Sequence, residues 1–213
     1  MNHKSKVNAE DSWERLLNPD ELRPTLIAAS VYIATFESLK ATIVDRIKDF
    51  YTNGFDENGW RVELEYTTKV LSRNSSHAHE SLDWLKEMDA IDDADIATYK
   101  RVKELRNVLA HGLLKVISDG LPEEFPVRLT EMAMLLDKIE RWWIVNVEIA
   151  IDPDLSGADI DERKIVPGPI LALRLLLDIA LGSEENSKFY LEEFRKRAES
   201  AGGRNRADRR TKC

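Results

Sequence analysis

The sequence predicts an all-α protein: a helical bundle of about five core helices, followed by two additional C-terminal helices and a basic tail. Three observations carry this. Gly (9) and Pro (7) are scarce among 213 residues, which disfavours turn-rich all-β architectures. Apolar residues recur at spacings of three and four over long stretches, the period of a helix with one buried face. Hydrophobic residues make up 43% and charged residues 33%, an ordinary globular balance that supplies a core and excludes a fibrous or disordered chain. The length suits one domain plus tails. The expected organisation is an N-terminal segment (1–19), the bundle (20–151), an acidic loop (152–168), C-terminal helices packing on the bundle (169–200) and a disordered basic tail (201–213).

Asp11 to Leu17 reads as a short helix, and Asn18-Pro19-Asp20 punctuates it as a turn. A long helix follows from about Pro24 to Phe50, with Ala29, Tyr32, Phe36, Leu39, Ile43, Ile47 and Phe50 in one stripe. Thr52 to Gly59 ends it. A third helix is expected from Trp60 towards Leu71, and a fourth holds Leu82, Trp84, Leu85 and Met88, with Ser75 or Ser76 as N-cap and Glu80 in its first turn. After the acidic turn Asp89 to Asp95, the residues Ile96, Tyr99, Val102, Leu105, Leu109, Leu113 and Val116 mark a fifth, strongly periodic helix. Asp119-Gly120-Leu121-Pro122 stops it. Phe125-Pro126 opens another, running to about Ile151 through Leu129, Met132, Leu136, Ile139, Trp143 and Val147. Trp142 and Trp143 point ~100° apart on it, so one can fill the core while the other sits at an edge or a dimer surface, and packing of both in the core is the commoner outcome. Ile170 to Leu181 and Ser183 to about Ser200 read as the closing helices.

No apolar run approaches the ~18 residues of a membrane span, and the first residues lack an apolar signal segment. A soluble, cytoplasmic protein with no membrane partner is expected. The single cysteine, Cys213, offers neither a disulfide framework nor a thiolate metal site. Net charge is -8, yet the segment from Arg195 onward carries +6, leaving -14 on the remainder. A basic arm on an acidic body can follow phosphates or meet an acidic partner, and a solvated tail is the plainer reading.

Four histidines limit the catalytic options. His3 lies in the start segment. His77 and His79 stand in a polar stretch with no Cys and no HExxH, which is not a metal-ligand set. His111 stands apart. At 100° per residue Lys100, Glu104, Asn107 and His111 share one polar face of the fifth helix, and Arg106 lies ~140° round from His111. Both Arg106 and His111 are expected on the polar side. The stretch from Tyr99 to Val116 is locally basic, with Lys100, Arg101, Lys103, Arg106 and Lys115 against Glu104. A cationic face around an imidazole suits a phosphodiester: a neutral His can take the 2′-OH proton of RNA, its conjugate acid can protonate the leaving 5′-oxygen, and Arg can stabilise the charged phosphorane. This chemistry requires no metal and no cofactor.

At these residues the sequence resembles the HEPN superfamily, small helical bundles that carry an Arg-x4-6-His motif, often with Asn straight after the Arg. Arg106-Asn107-x3-His111 fits the commonest form. The wording Leu105-Arg106-Asn107-x2-Ala110-His111-Gly112, late in one long helix and preceded by another, looks like the family over roughly residues 20 to 150. Arg73-Asn74-x4-His79 also satisfies the loose spacing, but Asn74-Ser75-Ser76 interrupts the helix that should hold it.

The resemblance implies a metal-independent endoribonuclease in a toxin–antitoxin or antiviral role, with RNA as substrate and an antitoxin or sensor protein as possible partner. It implies a homodimer in which two motif helices face each other and form a composite site, so that Arg106 of one chain meets His111 of the other. Arg106 is then the phosphate ligand, Asn107 the orienting residue and His111 the general acid/base, with Lys100, Lys103 and Lys115 as RNA contacts. The family branch paired with a nucleotidyltransferase antitoxin has Tyr two places after the His, where this chain has Leu113. The alternative is a non-catalytic HEPN-like dimerisation or binding module. The two readings separate at His111, which should be partly exposed in a basic cleft if catalytic and buried with a partner if structural. On the first reading, deleting residues 201–213 should weaken RNA binding and flatten its salt dependence in a filter-binding titration, with the cleavage pattern unchanged.

Overall fold

The computed structural model describes residues 8–57, 59–72, 76–155, 160–183, 185 and 187–198. It is all-α apart from one small hairpin. Helix α1 (Ala9–Leu17) and α2 (Pro19–Phe50) meet at a single residue, Asn18, whose N–H closes α1 on the Glu14 carbonyl while its side chain accepts from the Asp20 N–H. What the sequence suggests as a turn is thus a joint shared by two caps. Helix α2 begins five residues earlier than expected because Pro19 occupies its first turn, where its missing N–H has no partner to lose.

The stretch expected to open a third helix at Trp60 pairs instead as a strand. Strands β1 (Thr52–Asp56) and β2 (Gly59–Val62) are antiparallel, with Phe55 opposite Trp60 and Asp56 opposite Gly59. Gly59 has φ +110°, a backbone setting that favours glycine at the hairpin turn. Helical structure resumes only at α3 (Leu64–Tyr66), which widens into a π-helical turn, Thr67–Leu71. Helix α4 (His77–Glu87) has Ser76 as N-cap, without a side-chain capping bond, and its first-turn Glu80 is buried rather than solvated.

Helices α5 (Asp93–His111) and α6 (Leu113–Asp119) replace the single fifth helix expected. Then come α7 (Phe125–Trp143), a π-helical turn (Ile144–Glu148) and α8 (Ile149–Ile151) in one continuous run. A short 3-10 turn, Glu162–Lys164, precedes α9 (Gly168–Leu181). The chain forms two compact units, residues 1–171 and 172–213, divided within α9. In the second, 187–198 is helical, and Tyr190 donates its hydroxyl to Asp178 Oδ2 at 2.6 Å, pinning that stretch to α9.

The core of the first unit is built on α2, which contacts α1, α4, α5, α6 and α7. Its stripe of Ala29, Tyr32, Phe36, Leu39, Ile43 and Ile47 is buried, as the spacing predicts, whereas Phe50 is half exposed. The most apolar 18-residue window of α2 reaches a mean hydropathy of 1.3 and is long enough to cross a membrane by length and composition; half of it is buried inside the fold. That window departs from the expectation that no stretch approaches such a length.

The π-helical turn after α7 has a visible partner. Glu140 and Glu148 are eight residues apart, which in a regular helix sets them ~80° apart, and the wider turn between them takes up part of that angle. Both carboxylates pair with Arg46 of α2, and the buried Glu140 also accepts from Thr42 Oγ1 at 2.6 Å. Next to them Trp143 is buried, stacks on Trp84 at 5.9 Å and lies under the Arg46 guanidinium at 5.6 Å. Trp142 is half-buried at the helix edge. Trp143→Ala should therefore destabilise the protein by about 3–5 kcal/mol, and Trp142→Ala by clearly less, as read from urea unfolding midpoints.

Candidate functional site

Helix α5 is set by strong local signals. Asp92 caps it, accepting from the Ala94 and Asp95 N–H groups at 2.8 and 3.0 Å, while Asp95 returns a bond to the Asp92 N–H at 3.0 Å. These two carboxylates satisfy three backbone donors that the first turn would leave unpaired. The Asp95 N–H, helped by that of Ala94 and by Lys138 of α7, holds the Asp92 carboxyl below the usual carboxylate range. One side of α5 (Tyr99, Val102, Leu105 and Leu109) is buried. Tyr32 of α2 donates its hydroxyl to the Val102 carbonyl at 3.1 Å, and burial pushes the pKa of that hydroxyl up, so it stays a donor.

The opposite side carries the polar face predicted from the helical period. Lys100, Glu104, Asn107 and His111 are all exposed. His111 is the last residue of α5, and its imidazole makes no hydrogen bond among the described residues. Lys103 is half-buried on the flank of this face, and Lys115 is exposed on α6. These three lysines form no ion pair among the described residues.

Arg106 departs from expectation. Its side chain is 27% exposed, pairs through Nη2 with Glu37 Oε1 of α2, and lies over the Phe36 ring at 5.6 Å. Its Nη1 reaches Asn107 Oδ1 at 3.3 Å, and its buried Nε has no partner. Arg101 is likewise committed, to Thr98 Oγ1 at 2.9 Å and to Glu131 of α7, which also pairs with Arg128. Two of the cations that make the motif helix look basic are thus matched by carboxylates from α2 and α7. The three lysines and His111 remain.

The helix does not run on to Val116 as expected. It bends at Gly112 (φ −117°, ψ 23°), where a Cβ would come within 2.9 Å of the Val108 carbonyl oxygen. Beside the polar face, a groove of about 400 Å³ opens between α5 and the start of α7, lined by Arg101, Glu104, Leu105, Val108, Glu124 and Arg128.

Within one chain the motif is assembled in part: Arg106 and Asn107 touch, and Asn107 and His111 share a face. Arg106 points to α2 instead. Phe36, which holds it from below, was legible as part of the buried stripe of α2, whereas Glu37 carries no signal in the sequence beyond flanking that stripe. Of the competing motif, Arg73 and Asn74 lie outside the described residues, as do His3, Cys213 and the tail 201–213; His79 is half-buried in the first turn of α4. Among the described residues no group of three or more His, Cys, Asp or Glu converges to hold a metal ion.

No protein-family model, curated protein or solved structure matches this chain.

The unequal burial of the two motif residues has a measurable result. His111→Ala should change stability by no more than about 0.5 kcal/mol. Arg106→Ala should lower it by on the order of 1 kcal/mol, because it removes a half-screened ion pair and the cover over Phe36. A double-mutant cycle of Arg106→Ala with Glu37→Gln in urea should show the two to be non-additive.

Proposed function

We propose that the protein is a metal-independent endoribonuclease of the HEPN type, acting in a toxin–antitoxin or antiviral setting. The observation that supports this most is the state of His111: exposed, without a hydrogen-bond partner among the described residues, at the end of a rigidly capped helix, with Asn107 one turn behind it. A structural histidine would be buried and bonded.

In this reading the neutral imidazole of His111 takes the proton of the 2′-OH, the 2′-oxygen attacks the adjacent phosphorus, and the 5′-oxygen leaves with a proton returned from an imidazolium. The products are a 2′,3′-cyclic phosphate and a 5′-OH. Arg106 neutralises the phosphorane, and Lys100, Lys103 and Lys115 hold the flanking phosphates. Arg106 and His111 point ~140° apart on one helix, so the site is completed by a second copy, the Arg of one chain meeting the His of the other.

A second reading, a non-catalytic dimerisation or binding module, draws on the Arg106–Glu37 pair. A guanidinium already matched by a carboxylate is a weaker phosphate ligand, and it serves well as a pin between α2 and α5.

The test is cleavage of RNA by purified protein. His111→Ala should abolish it by the ~10²–10⁴-fold that a general acid/base supplies, Arg106→Ala by the ~10²–10³-fold that one ligand of the transition-state charge supplies, and EDTA should leave it intact. Mixing the two inactive variants should restore about a quarter of wild-type activity, since half the dimers then pair chains of both kinds and hold one intact composite site. Full inertness of the wild type on every RNA offered would support the binding module. Loss of cleavage in His79→Ala but not in His111→Ala would move the site to the other motif.

A further inference from the structure

The groove beside the motif face carries a carboxylate next to a guanidinium on each of its walls. Glu104 and Arg101 stand three residues apart on α5, and Glu124 and Arg128 four apart at the start of α7, so the members of each couple are neighbours. Glu131 engages Arg101 through Nη2 and Arg128 through Nη1, and the other nitrogens of both guanidinium groups make no bond among the described residues. Glu104 and Glu124 are exposed, and neither side chain makes a hydrogen bond or ion pair among the described residues. The rest of the lining is apolar: Leu105, which is buried, and Val108, which is 51% exposed. A volume of about 400 Å³ is in the range of small-ligand sites. Every lining residue belongs to the first compact unit.

These walls select by hydrogen-bond pattern, since an occupant must offer donors to a free carboxylate and acceptors to the guanidinium beside it. An inorganic anion supplies acceptors alone and would meet two unmatched carboxylates. A cationic side chain of another protein supplies donors alone and would meet two arginines. A metal ion needs a converging set of ligands, which the described residues do not form. Guanine supplies both kinds along one edge: N1–H and the 2-amino group donate side by side, and O6 and N7 accept next to them. Adenine and cytosine set a ring acceptor beside their amino donor, and uracil sets a carbonyl on each side of its N–H. Each of these turns a lone pair toward a carboxylate.

We propose that the groove is a guanine-binding subsite for single-stranded RNA. Glu104 accepts from N1–H and the 2-amino group, as a carboxylate accepts from an arginine, Arg101 donates to O6 and N7, and Leu105 and Val108 pack against the ring. Pairing with cytosine uses the same edge, so the base must be unpaired. The α5 wall takes the base because it leads to the motif: Glu104 lies two turns before His111, ~20° round the helix and ~10 Å along it. The subsite rests on the ribonuclease reading for its RNA, whereas its binding chemistry would serve a non-catalytic chain equally.

Two readouts on the full chain separate the subsite from the reaction. The first is binding of an unstructured RNA with a single guanine to the His111→Ala protein, followed by fluorescence anisotropy. Replacing that guanine by adenine should weaken binding on the order of 10- to 100-fold. Replacing it by inosine, which lacks the 2-amino group alone, should weaken binding about tenfold. Adding Glu104→Gln, whose amide puts a donor where an acceptor was, should bring the guanine-to-inosine ratio close to one. Glu104 is exposed and unpaired, so the circular dichroism spectrum should be retained. The second readout is cleavage by the wild type, in which cuts should fall beside guanine and Glu104→Gln should erase that preference. Equal binding of guanine and inosine RNA, a ratio unchanged by Glu104→Gln, or a ratio lost in Glu124→Gln instead would overturn the subsite. So would binding of guanosine 5′-monophosphate by a chain that binds no RNA, which would assign the groove to a free nucleotide. Cleavage without guanine preference overturns the subsite and leaves the ribonuclease reading in place; guanine-selective binding without cleavage of any RNA does the reverse.

Discussion

Because α2 buries Tyr32, Phe36, Leu39, Ile43 and Ile47 along one line of a rod about 48 Å long, the helices that contact it are placed by that line. Each such side chain contributes roughly 1.5–3 kcal/mol when fully buried. The surface ion pairs of this protein are worth about 0–1 kcal/mol each, so packing on α2 outweighs them. The polar contacts that α2 makes serve direction instead. Tyr32 ties it to the backbone of α5, while Thr42 and Arg46 tie it to α7. A greasy rod alone would let its neighbours slide; bonds to named atoms fix their register.

That same rod reaches into the candidate site. Phe36 faces both the core and Arg106: its ring packs against Tyr99 at 5.8 Å and lies under the guanidinium. The next residue, Glu37, supplies the counter-charge. One turn of α2 therefore sets the orientation of a residue 69 positions later. The motif helix carries Lys100 exposed and Lys103 half-buried beside Glu104, and its net sign is clear only after Glu37 and Glu131 have been matched with their arginines. Charge counted along one helix overstates the field that a ligand would meet, since helices on either side contribute carboxylates that no local window contains.

What could be read from the sequence was what one periodicity encodes. The stripes of α2, α5 and α7 are buried nearly residue for residue, and the exposed row Lys100, Glu104, Asn107 and His111 follows from the same geometry. Three features were hidden. The hairpin of Thr52–Asp56 and Gly59–Val62 was masked by the glycines and asparagines that also stop helices, and strands of five and four residues offer too short an alternation to outweigh them. The bend at Gly112 escaped because the apolar spacing runs on through Leu109, Leu113 and Val116, and a lone glycine inside such a pattern is tolerated in a helix. The Arg106–Glu37 pair is a tertiary event between two helices, and nothing within either helix announces it.

At Gly112 the place a side chain would take is already held by the Val108 carbonyl oxygen, an atom of the backbone that cannot swing aside. Any other residue there would pry open the last turn of α5, and His111 closes that turn. The aim of the imidazole is therefore set by something its neighbour lacks. A chain that acquired even a methyl group at position 112 would retain Arg106, Asn107 and His111 in name, while the turn that places the His111 imidazole on the same exposed face as Asn107 would have to shift.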